Sequence, residues 1–421
     1  MLYKNKSKLI KHIKKSIKNQ KLNNKSEFII DIGDSEKIHE NIIDFGFDFN
    51  DIIENIEYLI GSDAKYSLNC NKVKFNYEVY FTGIELKGEV DFSGACFEKD
   101  VNFNSIIFKD KIYFSDAIIN SEINFINSYF YKEINFVSSI INGIANFETP
   151  SFMGNITFAK SIINKISINN MVMLNKSDLF FSYTSFNNNA STIEIISNSN
   201  NAEDENSYIN QLYFTDLNIK GMINIKNINT NIVDFKGSVI NGGLVNPVKF
   251  KVNNFANRES ALFLKNEAYA RNNIIDALEY KSKEIAKHKE ELLSDKPNKN
   301  IKDWGDIFSI YLSSIYSNNG LNWLKSLSMT ILITFIFFNI FYIPDLSKSN
   351  IDLSYYNDYM YRLVEYFIPT NYNHIVGYAN NYYINIFVKI FGVIVYFIGK
   401  IMFWYGSVQT IQSFRKFSKG A

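Results

Sequence analysis

The chain has 421 residues, more than one ordinary domain holds, with 44 basic and 43 acidic side chains. A formal net charge of +1 excludes the global basicity of a nucleic-acid binder. Two cysteines, Cys70 and Cys96, build no disulfide framework and fit a reducing cytoplasm, while 37 Phe and 27 Tyr require a place that absorbs rings.

Residues 1–25 form a basic segment with nine lysines, from Lys4 to Lys25, and no acid. No secretory apolar region is present. Leu9, Ile10, Ile13 and Ile17 can line one face of a helix lying on anionic lipid, or the segment is a solvated tail. Residues 26–74 read as an N-terminal cap region. Within it, residues 50–61 have a helix start in Asn50 or Asp51, apolar residues at helical spacing and a stop at Gly61. A strand solenoid needs such a cap, because a bare terminal coil exposes an apolar cross-section and unpaired strand edges.

From residue 79 to 163 one regularity dominates. Phe92, Phe103, Phe114, Phe125, Phe136, Phe147 and Phe158 fall eleven residues apart. A second series, Phe97, Phe108, Ile119, Phe130, Ile141, Phe152 and Ile163, falls five residues after the first and six before its next member. Two residues ahead of each first-series Phe stands an apolar residue (Val90, Val101, Ile112 and so on). The second series is preceded at that distance by Ala95, Ile106, Ala117, Ser128, Ser139, Pro150 and Ser161. Period-two pairs on short strands, repeated at fixed spacing and separated by Asn, Ser, Asp, Lys or Gly, predict a coiled strand solenoid. A helix would place apolar residues at three and four, and the wealth of aromatic and β-branched residues argues against one.

With Val90, Asp91 and Phe92, Ala95, Cys96 and Phe97, and Val101, Asn102 and Phe103 in view, the stretch resembles the pentapeptide-repeat family. In that family a central Leu or Phe and a small residue two earlier point into a right-handed quadrilateral β-helix. The chain departs from the family's simplest form by one extra residue in alternate units. The resemblance implies a mainly β solenoid acting as a scaffold or interaction surface, without catalysis.

Beyond Ile163 the register loosens, although Ile168, Met173, Phe181 and Phe186 keep five-residue steps. The polar run 197–206 reads as a loop, and pairing resumes through Phe214, Ile219, Ile225, Phe235 and Ile240. The solenoid is therefore expected over 75–250. Residues 251–302 read as a helical hairpin and linker, with Asn273 capping the second helix and Asp276 at its third position.

Residues 303–421 read as a membrane domain. An aromatic amphipathic helix at 303–316 suits the membrane interface. Leu327 to Ile343 is free of charge, and Ile384 to Tyr405 is long enough to span but carries Lys389 and Lys400. Those lysines either snorkel to the headgroups or, eleven residues apart on one helix face, line an aqueous path. Lys299, Lys302 and Lys325 before the first span, and Arg415, Lys416 and Lys419 after the second, predict cytoplasmic termini, a cytoplasmic solenoid and an outside loop at 344–383. Residues 266–270, 317–323 and 411–417 add a resemblance to bacterial pentapeptide-repeat membrane proteins, which implies an inner-membrane address.

Signals for chemistry are sparse. His12, His39, His288 and His374 lack partners at metal-ligand spacing, Ser62 and Lys65 form an isolated Ser-x-x-Lys, and there is no phosphate loop, so no cofactor or metal is expected. The expected function is a scaffold that is anchored in the lipid bilayer and meets a cytoplasmic protein partner. The alternative is an oligomeric two-span channel, with 359–367 as a pore helix and 375–379 as a poor substitute for a carbonyl filter. DNA mimicry is set aside, since residues 79–163 carry ten acids against six lysines, a mild excess.

Overall fold

In a computed structural model of the chain, residues 2–23, 28–32, 41–61, 63–198, 208–294, 299–346, 353–368, 370–380 and 385–418 are described. The chain divides into two compact units, residues 1–263 and 264–421.

The first unit is a parallel β-solenoid. Its strands mostly span two or three residues and pair with strands one coil away: Cys96 with Ile118, Val101 with Ile123, Ile107 with Tyr129 and Ile112 with Ile134. Each pairing spans 22 residues, so one coil holds two of the eleven-residue units. The four ladders are four walls. The first series of Phe alternates between two of them: Phe103, Phe125 and Phe147 follow the strands at Val101, Ile123 and Ala145, whereas Phe92, Phe114, Phe136 and Phe158 follow those at Val90, Ile112, Ile134 and Ile156. The second series fills the other two walls.

Because the backbone hydrogen bonds run between coils, side chains of the same wall stack ring on ring. Phe92, Phe114, Phe136 and Phe158 lie 4.7–5.2 Å apart, and the column continues through Phe181, Phe214 and Phe235 to Phe263. Phe81, Phe103, Phe125 and Phe147 form a second column, with 4.6–5.1 Å between centroids. Phe108, Phe130 and Phe152 form a third, and Phe97 stacks on Phe75. All eleven of the Phe predicted for the core are buried.

A corner follows each first-series Phe, and it needs a left-handed residue. Gly83, Gly94, Ser105, Asp116, Asn127, Ser138, Thr149 and Lys160 all have φ between 50° and 67°. The Ala95 N–H closes one such turn on the Phe92 carbonyl at 3.0 Å, with Gly94 in the position that requires positive φ. For residues with a Cβ this conformation costs roughly 1–2 kcal/mol. Burying the adjacent Phe contributes about 1.5–3 kcal/mol and its ring contacts add to that. The stack therefore carries the corners. The small residues that open the second series fit beneath them, and where that residue is serine its hydroxyl is buried: Ser128 and Ser161 donate to the carbonyls of Phe103 and Phe158, each at 2.5 Å.

The walls begin earlier than expected. The strand Phe28–Asp31 pairs with Tyr66–Asn69, and Asn41–Ile43 pairs with Val73–Phe75, so residues assigned to a cap region also form coil. Helix α1 (Lys6–Leu22) starts on Asn5, whose side chain accepts from the Lys8 N–H at 3.1 Å. Its Leu9, Ile13 and Ile17 are buried, and it packs against the Phe28–Asp31 strand and α2 (Asn50–Ile60). The apolar face is thereby covered by protein, and the exposed side is lysine. The Gln20 amide donates to the Ile29 carbonyl at 2.6 Å and accepts from the Ile29 N–H at 2.8 Å, satisfying backbone groups of the outermost strand. Helix α2 starts at Asn50 and ends at Gly61, as predicted; Phe49 holds the position before it without a side-chain cap, and the Asp48 carboxylate accepts the Asn50 N–H at 3.0 Å.

The loop predicted at 197–206 lies outside the described residues except for Ser197 and Asn198, and both of those continue the coil hydrogen bonding. At the far end the last strand, Lys251–Phe255, is followed by α3 (Arg258–Ala270). Its Ser260 hydroxyl accepts from the Phe235 N–H at 2.7 Å, and Phe263 closes the longest ring column.

The second unit is helical: α4 (Ile274–Ser294), α5 (Ile301–Ser317), α6 (Trp323–Leu346), α7 (Leu353–Tyr366), α8 (Asn373–Asn380) and α9 (Ile386–Ser418). Asn273 caps α4 with Asp276 as predicted, and Asn300 with Asp303 forms a capping box for α5.

Candidate functional site

The helices α6 and α9 pack together along their lengths. The windows Trp323–Tyr342 and Ile386–Phe414 are long and apolar enough to cross a membrane, and 28% of each is buried. The core helix of a soluble protein would be mostly buried; here Ile331, Leu332, Phe335 and Ile336 on α6, and Phe387, Phe391, Ile394 and Ile401 on α9, stand exposed.

Close approach of the two helices depends on small residues. A Cβ on Gly406 would overlap the Thr330 hydroxyl, one on Gly399 would overlap Tyr366 and Phe337, and one on Gly392 would overlap Tyr378. These glycines recur every seven residues and put one face of α9 against its neighbours. Thr330 and Thr334, buried on α6, donate to the carbonyls one turn back, at 2.7 and 2.6 Å. Sequence reasoning passed over this face, although the glycine spacing was there to be read.

Of the two lysines expected in the second span, Lys389 is half-buried and Lys400 is 2% exposed. Snorkelling does not describe Lys400. Its ammonium donates to the carbonyls of Tyr366 at 2.6 Å and Ile368 at 2.8 Å, and lies over the Tyr366 ring at 4.6 Å. The last carbonyls of α7 have no partner within their helix, and a cation there suits the helix dipole. Lys400 is thus the C-terminal cap of α7. Around it Phe338, Phe341, Tyr342, Tyr366, Tyr378 and Tyr396 form an aromatic cluster joining α6, α7, α8 and α9. The expected pore helix, 359–367, lies largely in α7, while residues 375–379 lie within α8, where backbone carbonyls belong to a helix.

At the opposite end of the hairpin Trp323 meets Phe414 edge to face at 4.9 Å. The Gln409 side chain accepts from Ser317 at 2.9 Å, and the Tyr316 hydroxyl donates to the Met402 carbonyl at 3.3 Å, which joins α5 to α9. Burial, with Tyr405 beside it, pushes the Tyr316 phenol up to about 12, so it stays a donor. Trp304, Phe308 and Tyr311 of α5 are exposed.

On the solenoid the outward positions form ladders. Asn146 donates to Asn124 at 3.0 Å and Asn124 to Asn102 at 3.5 Å; Asn142 donates to Asn120 and Asn120 to Glu98, both at 2.9 Å. The Lys74 ammonium, with Asn120, holds the Glu98 carboxyl below its ordinary range. Among the described residues no group of three or more His, Cys, Asp or Glu is placed to hold a metal. His12 packs against Tyr3 and His288 lies beside Glu291, whereas His39 and the His374 side chain lie outside the described residues. Ser62 lies outside them too, and Lys65 pairs with Asp110 at 2.9 Å.

The fold and the hairpin define a parallel β-solenoid protein with two helices long and apolar enough to span a bilayer. No protein-family model, curated protein or solved structure matches the chain.

Proposed function

We propose that this chain is a scaffold anchored in a bacterial inner membrane by α6 and α9, with both termini and the solenoid in the cytoplasm. The solenoid belongs, in this reading, to the pentapeptide-repeat type. Support comes from its inward Phe, the small residue two earlier at several positions and strands of two residues. The observation that carries the scaffold reading is the set of amide ladders on the walls. Asn102, Asn124 and Asn146 repeat one polar group per coil at the strand spacing of about 4.8 Å. Such an array offers a protein partner regular, rigid hydrogen-bonding groups over several coils. The reading includes no catalytic step.

A pore built from several two-span copies is the competing reading. It is disfavoured by residues 375–379 being helical, so that this segment does not present the extended row of carbonyls that would replace an ion's water shell. The test is the native mass of the detergent-purified protein. A monomer or dimer fits the scaffold; a stable ring of four or more copies that conducts ions in liposomes overturns it. Cysteines placed in the 344–383 loop should react with impermeant thiol reagents in intact cells, and labelling at residue 250 instead would invert the topology.

A further inference from the structure

The helical unit contains a cleft of about 510 Å³ at the end of the hairpin marked by Trp323 and Phe414. The start of α4, the residues after α5 and the last turns of α9 enclose it. Its polar wall includes Lys281, Asn319, Gln409 and Gln412, and its apolar wall Leu278 and Ile285.

Two of these groups lack the partner their chemistry calls for. Lys281 is exposed and forms no ion pair among the described residues, because the acids flanking it on α4 are engaged elsewhere: Glu279 with Lys283 at 2.8 Å and Glu284 with Lys265 at 2.7 Å. The amide oxygen of Asn319, on a residue held in the left-handed region (φ 57°), is buried without a hydrogen-bond partner. A buried unsatisfied acceptor is costly unless a ligand supplies the donor. The cleft therefore offers a cation, an acceptor awaiting a donor, two glutamine amides and an apolar side.

We infer that this cleft holds the headgroup of an anionic glycerophospholipid, its phosphate at Lys281 and a headgroup hydroxyl at Asn319. The inference rests on the reading that α6 and α9 are embedded. Gln409 and Gln412 lie in the last turns of the apolar helix, beside the Trp323 and Phe414 pair, which is the depth where headgroups sit. A lysine beside a spanning helix at that level suits an acidic headgroup. Leu324, beside Trp323, and Val408 and Ile411, beside Gln409 and Gln412, are exposed apolar residues.

The test uses the full chain, delipidated in mild detergent and titrated with phosphatidylglycerol or phosphatidylcholine of equal chain length under native mass spectrometry. Phosphatidylglycerol should bind about fivefold more tightly than phosphatidylcholine. Lys281→Glu should abolish that preference and Lys281→Gln should reduce it, whereas Lys287→Glu, farther along α4, should not change it. Equal binding of the two lipids, or a preference that survives Lys281→Glu, overturns the inference. Inorganic phosphate is titrated in parallel. If it binds with the same sensitivity to Lys281 while phosphatidylglycerol does not, the ligand is a soluble phosphate and the lipid assignment fails. High-pH carbonate extraction separates the two levels: a protein released without detergent refutes the embedding, and a protein that stays but shows no lipid preference refutes only the cleft.

Discussion

The ammonium of Lys400 lies 2.6 Å from the carbonyl oxygen of Tyr366, a residue 34 positions earlier in the chain. One side chain of α9 thereby holds the end of α7.

Lys400→Met keeps the stem and removes the donors. A hydrogen bond to a charged group contributes about 1.5–3 kcal/mol, and here two are lost. Amide exchange in 353–366 should accelerate by about tenfold or more while α6 and α9 stay protected. Unchanged exchange in α7 would mean that the aromatic cluster alone secures it.

Phe125 lies between Phe103 at 5.1 Å and Phe147 at 4.6 Å. Phe125→Ala should cost about 3–5 kcal/mol through the cavity it leaves, and Phe125→Asp should unfold the solenoid. Asn127→Asp, at an exposed left-handed corner that suits either residue, should stay within about 0.5 kcal/mol. Denaturant unfolding measures all three, and equal tolerance of both aspartates would end the solenoid description.

Two glycine exchanges should act in opposite directions. The long strand Ile140–Glu148 crosses from one wall to the next with a shift of register between Ile141 and Ile144, and a Cβ on Gly143 would overlap the Ser121 carbonyl. Gly143→Ala should therefore destabilise by more than about 2 kcal/mol. Lys160 holds φ 60° with a full side chain, so Lys160→Gly should stabilise by about 0.5–1 kcal/mol once glycine's own entropy is subtracted. Thermal melting decides each sign.

The two thiols should differ in reactivity. Burial, with Asp91 and Asp31 adding to it, pushes the Cys70 thiol well above its ordinary value, whereas Cys96 is half-buried on an outer wall. A raised value means less thiolate at a given pH, so at about pH 8 a maleimide should label Cys96 in the native protein and Cys70 only after unfolding. Native labelling of both at one rate would contradict the burial of Cys70.

The repeat was legible because a strand solenoid sends the same side chain to the same place each coil, and Phe92 to Phe158 keep that period without a slip. Phe28–Asp31 and Asn41–Ile43 follow no such period, so their place in the walls was hidden. The corner conformation was half-visible: Gly83 and Gly94 announce it, but Thr149 and Lys160 adopt it only because the ring columns on either side hold them there. Lys400 was recognised as unusual from a charge in an apolar run. Its partner was not, since a backbone carbonyl leaves no mark in a sequence.

The 22-residue coil has a consequence for how such a chain can change length. Removing one whole coil, for instance residues 112–133, would join Lys111 to Ile134 and leave every later side chain on its present wall, shortening the rod by one storey. Removing eleven residues would preserve the local Phe pattern yet carry everything downstream to the opposite side, with the Asn102, Asn124 and Asn146 ladder cut in two. The solenoid thus has a phase as well as a length, and a partner that reads one wall responds to the phase.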